Sequence, residues 1–326
     1  MVAADAGTVE LSGVQFTGLP SSDPTPANDW LGSDGTLVEC TIIGRGSRLR
    51  LSGHGVTISN NVFRTTDGYA LHIAPAGIAR VGTFKGNRIE ADFGAGTQVQ
   101  GKVEKQGGIA VLFGNPLHRF EDNRVTVRNG IAAVRYRVPE EFAAYRWDDA
   151  NNDFFFNKNQ LLNVGKDSVT GLLVDELTSE QTLVFSNSTL QGFTTGAKIA
   201  ADRIVLKGLR LKGNRTGLYL TSGSFVNNVH ITAAGKVAET AVIFGEAGED
   251  ICPHITGLMV HGYPQGISVI GDPVASNYLR EVMMHGVAQP LVMKTNDGDP
   301  LVFPSGASWL LPTQTLAKEH KDHKHH

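Results

Sequence analysis

The sequence has little of several features that would assign it to other classes of protein. It contains only 2 cysteines in 326 residues, so a small disulfide-stabilised scaffold is excluded. The formal net charge of −3 gives no electrostatic basis for binding nucleic acid. No apolar run is long enough to cross a bilayer, and no window of a dozen residues has the 3.6-residue period of a helix. These absences predict an all-β chain with neither a nucleic-acid nor a membrane partner.

Glycine is plentiful, with 38 residues, and it recurs just before short apolar runs. The interval is about 21–25 residues, or about 40 where an insertion intervenes, which is typical of a solenoid. The runs begin at Gly68, Gly108, Gly130, Gly171, Gly196, Gly217 and Gly266. A second pattern places apolar residues at i and i+5, as in Phe84/Ile89 and Phe120/Val125.

The local pattern predicts strands that are not joined as hairpins. Val125-Thr-Val127 and Leu218-Tyr-Leu220 alternate with period 2. Asn-Gly and Asp-Gly turns between paired runs are almost absent, which disfavours a meander. We therefore expect a three-sided parallel solenoid of about 11–12 coils, with a length of about 50–60 Å at the interstrand spacing.

The repeated unit Phe-x-x-Asn-x-Ile/Val carries a family resemblance. It reads Phe84-Lys-Gly-Asn-Arg-Ile89 and Phe120-Glu-Asp-Asn-Arg-Val125. On this motif the chain resembles the single-stranded right-handed parallel β-helix proteins of the pectate-lyase-like superfamily, closest in style to phage tailspikes. The resemblance implies a surface or virion location and a homotrimer, with a bacterial polysaccharide and other virion proteins as partners. It does not imply one activity, because polysaccharide lyases, glycoside hydrolases and non-catalytic adhesins share this fold.

The asparagine of the repeat is expected to be structural. Position i+3 is Asn61, Asn87, Asn123 and Asn159, followed by Ser188. Amides that stack at a tight corner hydrogen-bond to one another along a ladder. The order along the chain is then a first coil and loop in residues 1–35, the β-helix in 36–300, a terminal cap in 301–315 and a His-rich polar tail in 316–326.

Insertions in a solenoid indicate where function is located. Three stand out: Pro20 to Asp34, Ala91 to Gly107 and Arg135 to Asp153. The second and third leave consecutive coils and are expected to wall one groove. Aromatic rings suit the apolar faces of sugars, and arginine and lysine suit acidic sugars. The candidate substrate-binding residues are Trp147, Tyr145, Tyr136, Arg135, Arg137, Lys102 and Lys105. The alternative is that the aromatic residues anchor a long loop to the rod.

Carboxylates near these segments are the candidate catalytic residues. Glycoside hydrolysis needs two of them across the scissile bond. The candidates are Asp148, Asp149, Asp153, Asp175 and Glu176. Each has the alternative role of a solvated turn residue. Lyase chemistry would instead use the basic residues Lys102, Lys105, Arg135 and Arg137. No zinc-ligand spacing or nucleotide motif is present, so we expect no metal and no cofactor.

Three functions therefore remain open. One is a tailspike-like protein that binds a bacterial polysaccharide, with or without cleavage of it. The second is a secreted monomeric lyase or hydrolase. The third is a structural or adhesive solenoid. The N-terminal segment lacks the basic start and apolar centre of a signal peptide, which favours either release with a virion or a signal removed from the chain.

Overall fold

The structure of the chain is a computed structural model. It describes residues 10–12, 15–18, 29–31, 36–44, 50–51, 57–66, 68–73, 82–94, 108–114, 119–138, 156–177, 182–245, 254–270 and 278–294. Nearly all regular structure in these segments is β-strand, numbered β1 to β30 in chain order, with one 3₁₀ turn at Gly235–Val237. Every strand pairing in them is parallel, and each strand pairs with its equivalent in the coil before or after.

Two of the three sheets follow one another directly in each coil. The first sheet contains β1 (Glu10–Ser12), β4 (Thr36–Val38), β7 (Thr57–Ser59), β10 (Thr83–Lys85), β13 (Arg119–Glu121), β16 (Phe156–Asn157), β19 (Leu183–Ser186) and β22 (Ile204–Lys207). The second sheet contains β2 (Gln15–Gly18), β5 (Thr41–Gly44), β8 (Val62–Thr65), β11 (Arg88–Asp92), β14 (Arg124–Arg128), β17 (Gln160–Asn163), β20 (Thr189–Gln191) and β23 (Arg210–Lys212). In the last coils, single long strands serve both sheets: β25 (Phe225–Thr232), β27 (His254–His261) and β29 (Tyr278–His285).

The third sheet closes the coil and contains 11 strands. They are β3 (Asp29–Leu31), β6 (Arg50–Leu51), β9 (Tyr69–Ile73), β12 (Ile109–Phe113), β15 (Ala132–Val138), β18 (Thr170–Leu177), β21 (Thr195–Ile199), β24 (Thr216–Leu220), β26 (Thr240–Phe244), β28 (Gln265–Ile270) and β30 (Gln289–Lys294). The described part of the chain is therefore a right-handed parallel β-helix of 11 coils, as the sequence predicts.

The corner between the first and second sheets is built the same way in successive coils. One residue there has a positive φ, for example +56° at Asn60 and +52° at Asp122. Glycine takes the same place at Gly86, where the φ is +67°. This single left-handed residue turns the chain without interrupting the stacking, because the residues on either side keep their register with the next coil.

The predicted asparagine ladder follows that residue. The Asn61 side chain donates to Asn87 Oδ1 over 3.0 Å, and the Asn87 side chain donates to Asn123 Oδ1 over 2.9 Å. Asn123 donates onward to Asn159 Oδ1 over 3.3 Å. Each of these oxygens also accepts from a backbone N–H of the preceding coil, as Asn123 Oδ1 does from Asn87 N at 2.9 Å. The structural interpretation of these asparagines is confirmed.

The core is a stack of aromatic rings inside the coils. The apolar residue at position i of the repeat is buried completely at Phe84 and Phe120 and to 1% exposure at Phe156 and Phe185. The rings of Phe120 and Phe156 lie 5.6 Å apart, and those of Phe156 and Phe185 lie 5.3 Å apart. Burial of each such side chain stabilises the fold by roughly 1.5–3 kcal/mol.

Candidate functional site

The predicted site residues belong to the third sheet or to the two connections that join it to the other sheets. Residues 95–107 connect β11 to β12, and residues 139–155 connect β15 to β16. The first connection enters the third sheet, and the second leaves it one coil later. The two longest connections are thus attached at opposite ends of neighbouring strands, the first before β12 and the second after β15.

Several candidate residues belong to those connections. Lys102, Lys105, Tyr145, Trp147, Asp148, Asp149 and Asp153 lie outside the described residues. Their roles, and the groove that the two insertions would wall, remain predictions.

The third insertion begins later than expected. Arg135, Tyr136 and Arg137 lie in β15, which continues to Val138 and pairs with β12 and β18. The reason is the alternation of the strand, which sends Val134 and Tyr136 into the core and places Arg135 and Arg137 on the outside. Arg137 is exposed.

Tyr136 is a core residue and not a surface contact. Only 2% of it is exposed, and its ring stacks on Phe113 at 4.4 Å with 12° between the planes. Burial raises the pKa of its hydroxyl well above the ordinary value. The assignment of Tyr136 to substrate binding is therefore wrong for this conformation, because no sugar can reach a ring inside the coil.

Arg135 and Asp175 form a bidentate ion pair on the outer face. Arg135 Nε donates to Asp175 Oδ1 over 3.1 Å, and Arg135 Nη2 donates to Oδ2 over 2.6 Å. The Arg135 side chain is only 3% exposed, whereas that of Asp175 is 24% exposed. Two fixed contacts of this kind orient a carboxylate that water and a ligand can still reach from one side.

Asp175 occupies an irregularity in the strand. Tyr136 pairs with Val174 and Arg137 pairs with Glu176, so Asp175 is the additional residue of a β-bulge. Asp175 and Glu176 both lie within β18, which continues to Leu177. Bulges occur preferentially next to functional sites, where they redirect a side chain.

An apolar cluster outside the main core adjoins Arg135, which pairs with Leu173 of this cluster in the strand register. It consists of Tyr69, Ile109, Ala132 and Leu173, all no more than 8% exposed. Leu112 packs against it from the coil below Arg135. These residues lie at the first and fourth positions of their strands, so those two positions share the outer face.

In the following coils the same positions become polar and accessible. The first position is a half-buried threonine at Thr170, Thr195 and Thr216, in register from strand to strand. The fourth position is Lys198 and then Tyr219, also half-buried, with the ammonium 5.4 Å from the ring centre. Sequence reasoning did not identify these residues, although the repeated Thr-Gly pair at the start of the strands was visible.

The glycines of that pair have a packing role. A Cβ at Gly196 would lie 2.6 Å from the carbonyl oxygen of Gly217. At Gly68, in contrast, the φ is +67° and the residue precedes its strand. The glycine repeat thus combines two physical causes, namely close approach of neighbouring coils and a left-handed backbone.

No group of three or more His, Cys, Asp or Glu side chains that could hold a metal ion occurs within the described segments. In those same segments there is no helix with the length and apolar character needed to span a bilayer.

Comparison with known proteins gives likeness of fold only. No protein-family model and no curated protein matches the chain. A mutant tailspike protein of E. coli bacteriophage HK620, solved with a hexasaccharide, has 9% identity and a TM-score of 0.41, over 88% of this chain and 67% of that one. The endo-xylogalacturonan hydrolase from Aspergillus tubingensis has 12% identity and a TM-score of 0.35, over 94% of this chain and 87% of the hydrolase. The catalytic domain of a GH87 alpha-1,3-glucanase, solved with tetrasaccharides, has 12% identity and a TM-score of 0.34, over 93% of this chain and 64% of the glucanase domain.

Proposed function

We propose that the chain is a tailspike-like surface or virion protein that binds a bacterial polysaccharide along the outer face of its third sheet. The observation that carries the proposal is the accessible surface of β21 and β24. There Tyr219 presents an aromatic ring beside Lys198 and the hydroxyls of Thr195 and Thr216. Aromatic rings stack on the C–H faces of sugars, and hydroxyl groups hydrogen-bond to sugar edges.

The ion pair extends this surface toward the insertions. Asp175 lies one coil before Lys198 and two residues beyond Leu173, the residue that pairs with Lys198. We assign Arg135 the role of orienting Asp175, and Asp175 the role of accepting hydrogen bonds from sugar hydroxyls. Arg137 and the aromatic residues Tyr145 and Trp147 complete the proposed glycan contacts.

Cleavage of the bound glycan would require a second carboxylate. Retaining hydrolases place the two carboxyl groups about 5–5.5 Å apart, and inverting hydrolases about 6.5–9.5 Å apart. Asp175 is the proposed fixed member of such a pair. Its partner would come from Asp148, Asp149 or Asp153, or from Glu176 on the same strand.

We further propose that the protein acts as a homotrimer outside the cell or on a virion. An apolar stripe on the outer face of the first sheet supports a face-to-face contact between copies. Val205 and Phe225 pair in register on it, and Phe225 stacks on His254 with 5.0 Å between the ring centres. Phe225 is 43% exposed, so a partner would remove a large apolar surface from water.

The test is binding to an array of bacterial capsular and O-antigen polysaccharides, compared between the parent and Tyr219→Ala. We expect at least one polysaccharide to bind, and the variant to bind it about tenfold more weakly through loss of the ring contact. Val237→Ala is the control, because Val237 is 61% exposed on the 3₁₀ turn and belongs to neither the third sheet nor the proposed trimer contact. Absence of binding, or equal binding by Tyr219→Ala, would refute the proposal.

Cleavage is tested separately on each polysaccharide that binds. New reducing ends that disappear in Asp175→Asn or in one of the three loop aspartate variants would indicate hydrolysis. Absorbance at 235 nm, a wavelength diagnostic for the unsaturated product of elimination, would indicate lyase chemistry and direct attention to Lys102 and Lys105. Binding without product would indicate an adhesive role.

A further inference from the structure

The outer face of the second sheet has an uneven charge distribution along the rod. Strands β14, β17, β20 and β23 contain four basic residues and no aspartate or glutamate. Arg124, Arg210 and Lys212 are exposed on this face. Arg128 is the fourth basic residue, and it pairs with Asp92 of β11 at 3.5 Å.

The preceding coils of the same sheet are neutralised by a carboxylate. Glu90 contacts Arg64 Nε at 2.7 Å and Arg88 Nε at 2.5 Å. The hydrogen bond from Arg64 lowers the pKa of Glu90 below its ordinary value, with a further contribution from Arg88. No such ion pair joins Arg124, Arg210 or Lys212 to a carboxylate within the described residues. The positive charge is therefore concentrated in the four strands that follow.

A shallow depression of about 280 Å³ lies on these four strands. Its polar lining consists of Arg124, Gln160, Thr189, Gln191 and Lys212. Leu161 and Leu162 supply its apolar lining. Arginine binds carboxylates through paired N–H groups, lysine supplies a compact charge, and glutamine both donates and accepts hydrogen bonds.

We infer that this depression is a subsite for carboxylate-bearing sugar residues, and thus that the polysaccharide bound by the rod is acidic. The inference rests on the proposed function, because it assigns the substrate class to the same glycan. The subsite lies on the sheet that precedes the third sheet in every coil. Only the three residues Gly192, Phe193 and Thr194 separate β20 from β21. A branched or curved glycan on the third sheet can therefore extend over this corner.

The spacing of the charges favours an extended acidic chain over a small anion. Arg124, Gln160, Thr189 and Arg210 stack in successive coils, and Lys212 lies two residues beyond Arg210. Arg124 and Arg210 are thus three interstrand spacings apart, or about 14 Å, and Lys212 lies still farther from Arg124. No single carboxylate spans that distance, whereas a chain of several acidic sugar residues does.

The experiment uses the full chain and an array of acidic capsular polysaccharides, each also printed after chemical reduction of its carboxyl groups to neutral hexose. The test variant is Arg124→Gln/Lys212→Gln, which removes two charges and keeps hydrogen-bonding side chains. Arg88→Gln is the matched control, because its charge on the same sheet is already paired with Glu90.

We expect an acidic polysaccharide to bind, its reduced form to bind at least tenfold more weakly, and the double variant to lose about tenfold in affinity while Arg88→Gln keeps it. The difference between parent and double variant should shrink at high salt. The inference is overturned if the tightest ligand is neutral, if reduction does not weaken binding, or if the double variant binds like the parent. In each of these outcomes the proposed polysaccharide binding survives. Failure of every polysaccharide to bind would overturn both.

Discussion

The ion pair between Arg135 and Asp175 leads to a prediction that separates its structural from its functional role. The perturbation is Asp175→Asn, which keeps the size of the side chain and removes its charge. A buried ion pair that loses one partner typically costs about 3–5 kcal/mol. Because the Asp175 side chain is 24% exposed, water replaces part of the lost interaction. We expect the free energy of unfolding to fall by about 2–3 kcal/mol.

A double variant isolates the pairing. Arg135→Met/Asp175→Leu removes both charges and fills the space next to Leu173 and Ala132 with apolar side chains. Replacement of a buried pair by apolar residues is often neutral or stabilising, so we expect stability within about 1 kcal/mol of the parent. Polysaccharide binding should nevertheless be lost, because the oriented carboxylate is gone.

Urea denaturation at pH 7 measures the stabilities, and array binding measures the function. The control is Glu90→Gln, which breaks an ion pair whose side chains are 48% and 27% exposed and is expected to cost under about 1 kcal/mol. The reasoning is refuted if Asp175→Asn costs no more than Glu90→Gln, or if the folded double variant binds polysaccharide as tightly as the parent.

Three further predictions concern the coil, its acid stability and its assembly. Asn123→Ala removes a link of the ladder and should lower the free energy of unfolding by about 3–6 kcal/mol in urea denaturation, because its buried partners lose their hydrogen bonds. The control Asn227→Ala, at an exposed asparagine, should change it by less than about 0.5 kcal/mol. Similar costs for the two variants would contradict a structural ladder. The pKa of Glu90 is lowered in the folded state, so Glu90 stabilises the fold above its unfolded-state pKa, and this stabilisation is lost as pH falls through the folded-state pKa. Glu90→Gln should therefore flatten the decline of melting temperature between about pH 5 and 2. An unchanged decline would contradict the pairing with Arg64. In light scattering we expect the parent to have three times the mass of one chain and Phe225→Asp to have the mass of one chain, because an unpaired charge is costly to bury at an apolar contact. A monomeric parent would contradict the proposed trimer.

The repeat was readable from sequence because stacking imposes the same chemical type on equivalent positions. Phe84 pairs with Phe120, and Ile89 pairs with Val125, in the register that the i and i+5 pattern predicts. The asparagine at i+3 was equally informative, because only a side chain that both donates and accepts can link successive coils.

The boundaries near the candidate site were less readable. Charged residues are common in loops, yet three charged candidates lie on the outer face of long strands: Arg135, Arg137 and Asp175. A charged residue that faces outward from a strand cannot be distinguished from a loop residue by composition. Tyr136 was misassigned for the same reason, since alternation decides which neighbours point inward.

To predict which residues share an accessible surface, one must know the register between coils. A short stretch of sequence does not give that register. Lys198 and Tyr219 are 21 positions apart in the chain but pair directly in space. Arg124 and Lys212 are farther apart in sequence, yet they line one depression. Such neighbours become visible only after the number of residues in each intervening coil is known.

The most direct test of the central claim is a crystal structure of the chain with an oligosaccharide from the polysaccharide that it binds most tightly. We expect sugar rings against Tyr219, with sugar hydroxyls in hydrogen-bond contact with Lys198, Thr195 or Thr216 on the outer face of the third sheet. An oligosaccharide bound to the first sheet or at an end of the rod, with Tyr219 and Lys198 uncovered, would contradict it.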